Sequence, residues 1–335
     1  QPRSRGLGDV YKRQKILSIL ILVFAISSCS NKENKENSNE ISNTSSKSEE
    51  KLSIDQLNIT YVTAPLNVPS IVEKNKEIFA KHLPNVKINY KEITSGADQT
   101  AALASGDVDI LYGLGGSSAI LAKANGQDIK ILNMYSKAPK AFSLFAKDDS
   151  IKNPYDLKGK KIGGPAGTNL HQELLAYLDK ENLTEKDVDF SNMAIPDAAS
   201  ALSSNALDVA LLGGPTAYKA KEEGFYEITN GEDLIDAIIC VASSEKFAKD
   251  HPDVIKAIND AQDEISDFME NNKDQTKEIV KKELDLDDKA YDYMYPMYDF
   301  STKITDKDKK GFERTKKFML DNKMIDDDFD INLLF

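Results

Sequence analysis

The residues best placed to act on another molecule are glycines and hydroxyl side chains at the starts of helices. Residues 102–119 read ALASGDVDILYGLGGSSA and residues 201–217 read ALSSNALDVALLGGPTA. In each, a Leu lies six residues before an Asp (Leu103 and Asp109, Leu202 and Asp208). The Asp precedes an apolar strand that runs into Gly-Gly, a small or Pro residue, a hydroxyl and Ala. Such a loop leaves free N–H groups and hydroxyls at a helix N-terminus, where the macrodipole favours an anion by about 0.3 to 1 kcal/mol, and by up to about 2 when partly buried. Gly163-Gly164-Pro165-Ala166-Gly167-Thr168-Asn169 forms a third loop of this kind, in which Thr168 or Asn169 can cap the following helix. Two copies are too few for a repeat array and suit two similar lobes, each presenting the same strand-to-helix loop.

Other chemistries are poorly supplied. The 335 residues include two Cys (Cys29 and Cys240) and three scattered His, which excludes a disulfide framework or Cys-based zinc site and disfavours a His-rich metal centre. No cofactor is expected. A formal charge of −12 argues against nucleic acid, which needs a basic patch. No set of nucleophile, base and orienting group is visible, and no phosphate-binding P-loop motif occurs. Cys240, in the run IICVA, reads as a small buried hydrophobe.

The N-terminal region carries a different kind of information. Ile16 to Ile26 is apolar but for one Ser, with Lys12, Arg13 and Lys15 before it and Ser27, Ser28 and Cys29 after it. As a helix the run rises about 16 Å, roughly half of a hydrocarbon core, so it is a signal-peptide core and not a span. Ile26-Ser-Ser-Cys29 resembles a bacterial lipobox, with Cys29 as the lipidated new N-terminus. The polar stretch Gln1 to Gln14 reads as a leader artefact. Removing residues 1–28 takes away five basic residues and one acid and moves the net charge from −12 to −16. Ser30 to Ser53 are nearly all Ser, Asn, Lys and Glu, too polar to offset chain entropy by burial, and read as a disordered tether.

The elements that must position the loops alternate. Strands are expected near 58–63, 86–91, 108–112, 129–134, 141–146, 161–163, 188–194, 209–212 and 238–241, with helices between most of them, which is the pattern of an α/β chain with largely parallel sheets. After residue 244 helical spacing dominates, over 253–269, 274–284, 287–294 and 305–320.

Ser105-Gly-Asp-Val-Asp109, Gly115-Gly-Ser-Ser118, Ala124-Asn-Gly-Gln-Asp-Ile129, Asp156-Leu-Lys-Gly-Lys-Lys-Ile162 and Gly167-Thr-Asn-Leu-His171 together resemble the substrate-binding lipoproteins of ABC importers, in the nitrate, sulfonate, taurine and thiamine-precursor group, over roughly residues 56–320. The resemblance implies an α/β, two-lobed periplasmic-binding-protein fold of type II with two hinge crossovers and a helical C-terminal part. Its parts would be residues 1–28 (leader and signal peptide), 29–54 (lipidated Cys29 and tether), 55–138 plus 238–335 (lobe 1) and 139–237 (lobe 2). Ser136 to Pro139 and Thr229 to Glu232 fit the hinges. The implied cleft is lined by Ala64, Pro65, Leu66, Asn67, Ser95, Gly96, Gly116, Ser117 and Ser118 from lobe 1, and by Thr168, Asn169, Gly214, Pro215 and Thr216 from lobe 2. Tyr135, with Tyr61, Tyr112 and Phe142, is a candidate to stack on a planar ligand; core packing is the alternative for each.

The implied role is extracytoplasmic capture of a small anionic or polar organic solute by a monomeric, membrane-anchored protein and its delivery to an ABC permease and ATPase, without catalysis. One departure weighs on the ligand. Many relatives carry an aromatic or acidic residue before the Pro of the second-lobe loop, where this chain has Gly213-Gly214-Pro215, so an ammonium-bearing ligand loses a partner there. An enzyme or a thiamine-precursor or aromatic-ligand binder on the same scaffold, and a receptor-like surface domain, stay open as alternatives.

Overall fold

The computed structural model describes residues 52–335. The expected signal peptide, the expected lipidation site at Cys29 and nearly all of the expected tether lie outside the described residues. In chain order the elements are β1 (Gln56–Thr60), α1 (Val68–Lys76), α2 (Ile78–His82), β2 (Lys87–Lys91), α3 (Gly96–Ser105), β3 (Ile110–Gly115), α4 (Gly116–Ala124) and β4 (Lys130–Lys137). Next come β5 (Phe142–Ala146), β6 (Lys161–Gly164), α5 (Asn169–Asp179), β7 (Asp189–Asn192), α6 (Ile195–Ser203), β8 (Val209–Gly213), α7 (Gly214–Glu222) and β9 (Tyr226–Asn230). The chain closes with β10 (Ile238–Ser243), α8 (Glu245–Asp250), α9 (Pro252–Asn271), α10 (Lys273–Leu284), α11 (Asp288–Met294) and α12 (Asp306–Asp321).

These strands form two five-stranded sheets of the same design. One has the order β2-β1-β3-β10-β4 and the other β7-β6-β8-β5-β9. In each, four strands run in one direction, and the strand fourth in the order runs antiparallel to both of its neighbours. The sheets are therefore mixed: most strands share one direction, as expected, and one strand in each is reversed. The antiparallel strand arrives each time through a crossover: β5 enters the second sheet directly after β4 leaves the first, and β10 returns after β9. The two crossovers touch. Ala138 N donates to Ala237 O at 3.3 Å, Gly231 N donates to Phe142 O at 3.0 Å, and Lys140 pairs with Glu232 at 2.9 Å.

Both sheets are covered on both faces. In the first, Leu57, Ile59, Ile110 and Tyr112 share a buried cluster with α1, α2 and α9, while Leu111, Leu114, Met134 and Cys240 pack with α4 and α12. Phe312 of α12 reaches the start of α4 and stacks edge-on against Phe335, so the helical C-terminal part completes the core of the first lobe. In the second sheet Leu144, Ile162, Val209 and Leu211 face α5, and Phe145, Ala210 and Leu212 face α6 and α7. Burial pushes the Cys240 thiol up to about 12, as suits an inert packing residue.

The internal echo has a structural cause. Asp109 Oδ2 accepts the backbone N–H of Asn58 at 2.7 Å while Asp109 N donates to Asn58 O at 2.8 Å, and this pair clamps the middle of β1 to the start of β3. Asp208 does the same to Lys161, at 2.8 and 2.9 Å, and so aligns β6 with β8. The repeated Asp sets the register of the parallel strands from which the Gly-Gly loops emerge. At the other end of the chain, residues 52–54, expected within the tether, are docked on the body. Leu52 and Ile54 pack against the core, and Ser53 donates from its backbone N–H to Asp253 Oδ2 at 2.7 Å, since two apolar side chains flanking Ser53 are enough to dock the segment.

Two stability predictions arise. Replacing Asp109 leaves a strand N–H without its charged acceptor, so Asp109→Ala loses about 1 to 3 kcal/mol in urea unfolding, and an unchanged midpoint would refute the clamp. Glu73 of α1 is buried, and burial pushes its carboxyl up to about 7 against the opposing hydrogen bonds from the Tyr90 hydroxyl and Phe79 N–H. The folded state therefore holds a proton that the unfolded chain releases near 4.5, and stability is lost as pH rises from there through about 7. Between pH 5 and 8 the stability gap moves in favour of Glu73→Gln by up to about 3 kcal/mol; parallel pH curves for the two proteins would count against it.

Candidate functional site

Where a parallel strand ends and its chain turns into a helix, the first backbone N–H groups point away from the strand edge with no intrahelical acceptor. Five such helix starts meet around one cavity with about 540 Å³ of free space, including its opening to solvent. It is lined by Asn67, the N-cap of α1; Gly96, the first residue of α3; Gly115 and Ser118 of the α4 start; Thr168, Asn169 and Leu170 of the α5 start; and Ile195, the first residue of α6. The N-caps of α1, α4, α5 and α6 (Asn67, Gly115, Thr168 and Ala194) make no side-chain capping bond. Among the described residues, no charged side chain lines the cavity. Val62, Phe142, Leu170, Ile195 and Ile239 supply an apolar wall.

The hydroxyls expected to hold a ligand are engaged with protein. Ser118 Oγ, from the first sheet's lobe, donates to Gly167 O at 2.7 Å in the second, and Ser117 Oγ donates to Asn169 Oδ1 at 3.3 Å. Asn169 Nδ2 returns across the cleft to Ile238 O at 3.1 Å, and Thr168 Oγ1 donates to Pro165 O at 2.7 Å. These side chains hold the two lobes together and shape the loop, leaving as donors those first-turn backbone N–H groups that are not already taken, as that of Ser70 is by the Tyr135 hydroxyl and that of Asp98 by Ser95 Oγ. Gly96 permits the approach, because a Cβ there would lie 2.1 Å from Ser118 Oγ.

Ala64, Pro65, Asn67, Gly96, Ser118, Thr168 and Asn169 of the expected cleft residues line the cavity. Leu66, Ser95, Gly116, Ser117, Tyr135, Gly214, Pro215 and Thr216 are not among its lining residues. Leu66 is buried in the core, and Ser95 caps α3 by accepting from Asp98 N. Tyr135 is also core: its hydroxyl bonds to Ser70 and its ring packs edge-on against Tyr112, with centroids 4.9 Å apart. Phe142 is the one stacking candidate that does reach the cavity. The Gly213-Gly214 turn packs against Pro65: a Cβ on Gly214, whose φ is +58°, would sit 1.8 Å from Pro65 O. An aromatic or acidic residue at that position has no room.

Val62, Thr94, Gln99 and Ile195 line the cavity outside every quoted motif, while Gly113, Pro165, Leu170 and Ile239 lie within quoted stretches without having been singled out as cleft residues. Gln99 had one signal, a long amide in the otherwise small-residue first turns of α3. His171 stands behind the loop. It accepts the Gly167 N–H on Nδ1 at 3.2 Å, so Nε2 carries the proton toward Glu185 at 2.7 Å, and burial holds its pKa below the usual value. The neutral ring fixes the turn that meets Ser118.

The comparison with known proteins follows this geometry. The NMT1/THI5-like family model matches residues 65–276. The chain belongs to the NMT1/THI5-like family. Within it, the chain is 29% identical over 205 residues to the taurine-binding periplasmic protein of Escherichia coli K12, a match covering 60% of this chain and 63% of that protein. To the putative aliphatic sulfonates-binding protein of the same strain it is 24% identical over 236 residues, 70% of this chain and 73% of the other. These relatives are named as binding proteins and not as enzymes. The alkanesulfonate-binding protein SsuA from Xanthomonas axonopodis pv. citri, bound to MOPS, shares the fold of this NMT1/THI5-like chain with a TM-score of 0.75 at 20% identity, over 82% of this chain and 95% of that one.

The contact between Gly214 and Pro65 gives a direct test. Gly214→Ala must push the lobes apart, so its radius of gyration by small-angle scattering rises while each lobe keeps its secondary structure; an unchanged radius would mean that this contact does not limit closure.

Proposed function

We propose that this protein is the extracytoplasmic solute-binding component of an ABC importer, and that it captures a small organic anion of the sulfonate type between its lobes and delivers it to a permease and its ATPase. Lobe 1 comprises residues 55–138 plus 238–335 and lobe 2 residues 139–237, with Cys29 as the lipid anchor and the monomer as the working form. The observation that carries the reading is the convergence of five helix starts on a cavity without a charged side chain. Each start favours an anion by about 0.3 to 2 kcal/mol depending on burial, and several together can offset the several kcal/mol needed to take an anion out of water.

The apolar wall of Val62, Phe142, Leu170, Ile195 and Ile239 favours a ligand with a hydrocarbon part over a bare inorganic ion. The sulfonate and taurine ligands in the names of the relatives agree in having both parts. Because the lining comes from both lobes, bound ligand adds contacts available only when they meet, and differential affinity selects the closed state. The net charge of −16 on the mature chain does not oppose an anion, since surface charges beyond about 8 Å are largely screened at physiological salt.

Calorimetric titration with ethanesulfonate and with ethyl methyl sulfone, its neutral near-isostere, separates charge from shape. The sulfonate binds at least a hundredfold more tightly; equal affinities would sink the helix-start model.

A further inference from the structure

Two amide side chains in the cavity wall have one end tied and the other free. Asn67 is 2% exposed and donates from Nδ2 to Ala64 O at 3.0 Å; Gln99 is 3% exposed and donates from Nε2 to Ile93 O at 2.9 Å. A backbone carbonyl accepts only, so neither amide can flip without placing oxygen against oxygen. Asn67 Oδ1 and Gln99 Oε1 are thereby fixed as acceptors, and both are buried without a hydrogen-bond partner. Both residues line the same cavity as the five helix starts. An acceptor left unpaired on burial costs about 1 to 3 kcal/mol, so a ligand that closes the site against water must answer it.

We infer that the ligand carries an uncharged hydrogen-bond donor, a hydroxyl or a neutral N–H, on its carbon skeleton, and that Asn67 Oδ1 and Gln99 Oε1 read it. This deepens the anion reading above and rests on it. An ammonium is a poorer match than a hydroxyl for a stated reason. Among the described residues no carboxylate lines the cavity, and the partial positive charge of five helix starts, which draws in an anion, repels a cation in the same space. Asn67 and Gln99 are then specificity-determining residues that favour hydroxylated anions over their plain alkyl counterparts.

The test is a calorimetric series on the full chain with ethanesulfonate, 2-hydroxyethanesulfonate and 2-aminoethanesulfonate, repeated on Gln99→Ala and Asn67→Ala. The hydroxy compound binds the wild type at least tenfold more tightly than ethanesulfonate and more tightly than the amino compound, and the hydroxy-to-plain ratio falls toward one in both variants. Because the ratio is taken within one protein, a variant of lower stability shifts both affinities and leaves the readout intact. Equal binding of ethanesulfonate and its hydroxy analogue, tightest binding of the amino compound, or a ratio that survives both substitutions overturns the inference while leaving the anion site standing. Failure of all three sulfonates to bind removes the anion site, and this inference with it.

Discussion

The first turn of an α-helix holds N–H groups for which the helix itself has no acceptor, and in this chain five such turns end at one place. Most of the molecule is arranged so that this can happen. A charged side chain could attract an anion from almost any loop, but a backbone donor points only where its helix points. The helices must therefore be aimed, and the sheets do the aiming. Parallel strands deliver their carboxyl ends to the same edge, so every turn from a parallel strand into a helix opens on that edge. Placing the second sheet so that its own edge faces the first gathers all five turns around a single volume.

The two sheets do this by the same means. The Asp109 and Asp208 clamps fix how far each Gly-Gly loop projects beyond its neighbouring strand. The lobes then use their equivalent loops differently. In the first, Gly115-Gly116-Ser117-Ser118 both lines the cavity and sends two hydroxyls across to the second lobe. In the second, Gly213-Gly214 lies against Pro65 and closes the seam. Equivalent Gly-Gly sequences serve recognition on one side and contact on the other, and their backbones differ accordingly, with Gly214 but not Gly116 at positive φ.

Much of this was legible in the residues. Alternating strand and helix patterns located most of the elements, since apolar runs bounded by Gly, Asn and Asp leave few other readings. The second sheet's edge strand β9, with sequence YEITN, was missed because it is short, polar and only partly buried. The loops of the cleft were visible as Gly-Gly and Gly-Thr-Asn motifs, but the destination of each hydroxyl was not. Whether Ser118 turns to a ligand or to Gly167 O depends on a residue 49 positions away, and no local pattern encodes that distance. Gln99 and Ile239 escaped notice for the same reason: each is ordinary in its own element and reaches the cavity only through tertiary placement.

The exchanged strands also impose an order on assembly. β5 through β9 are contiguous in the chain, so the second sheet can be completed as soon as residue 230 is free of the ribosome. The first cannot. β10 is the internal strand to which β4 pairs, and it is synthesised about 100 residues after β4 ends. Until then β4 is a strand without a partner in its own sheet, and one apolar edge of β3 is bare. A nascent or translocating chain thus carries one finished lobe beside one unfinished lobe for the time taken to make that segment. Exposed edges of this kind are where chains mispair, which makes this interval the vulnerable one in the life of the protein.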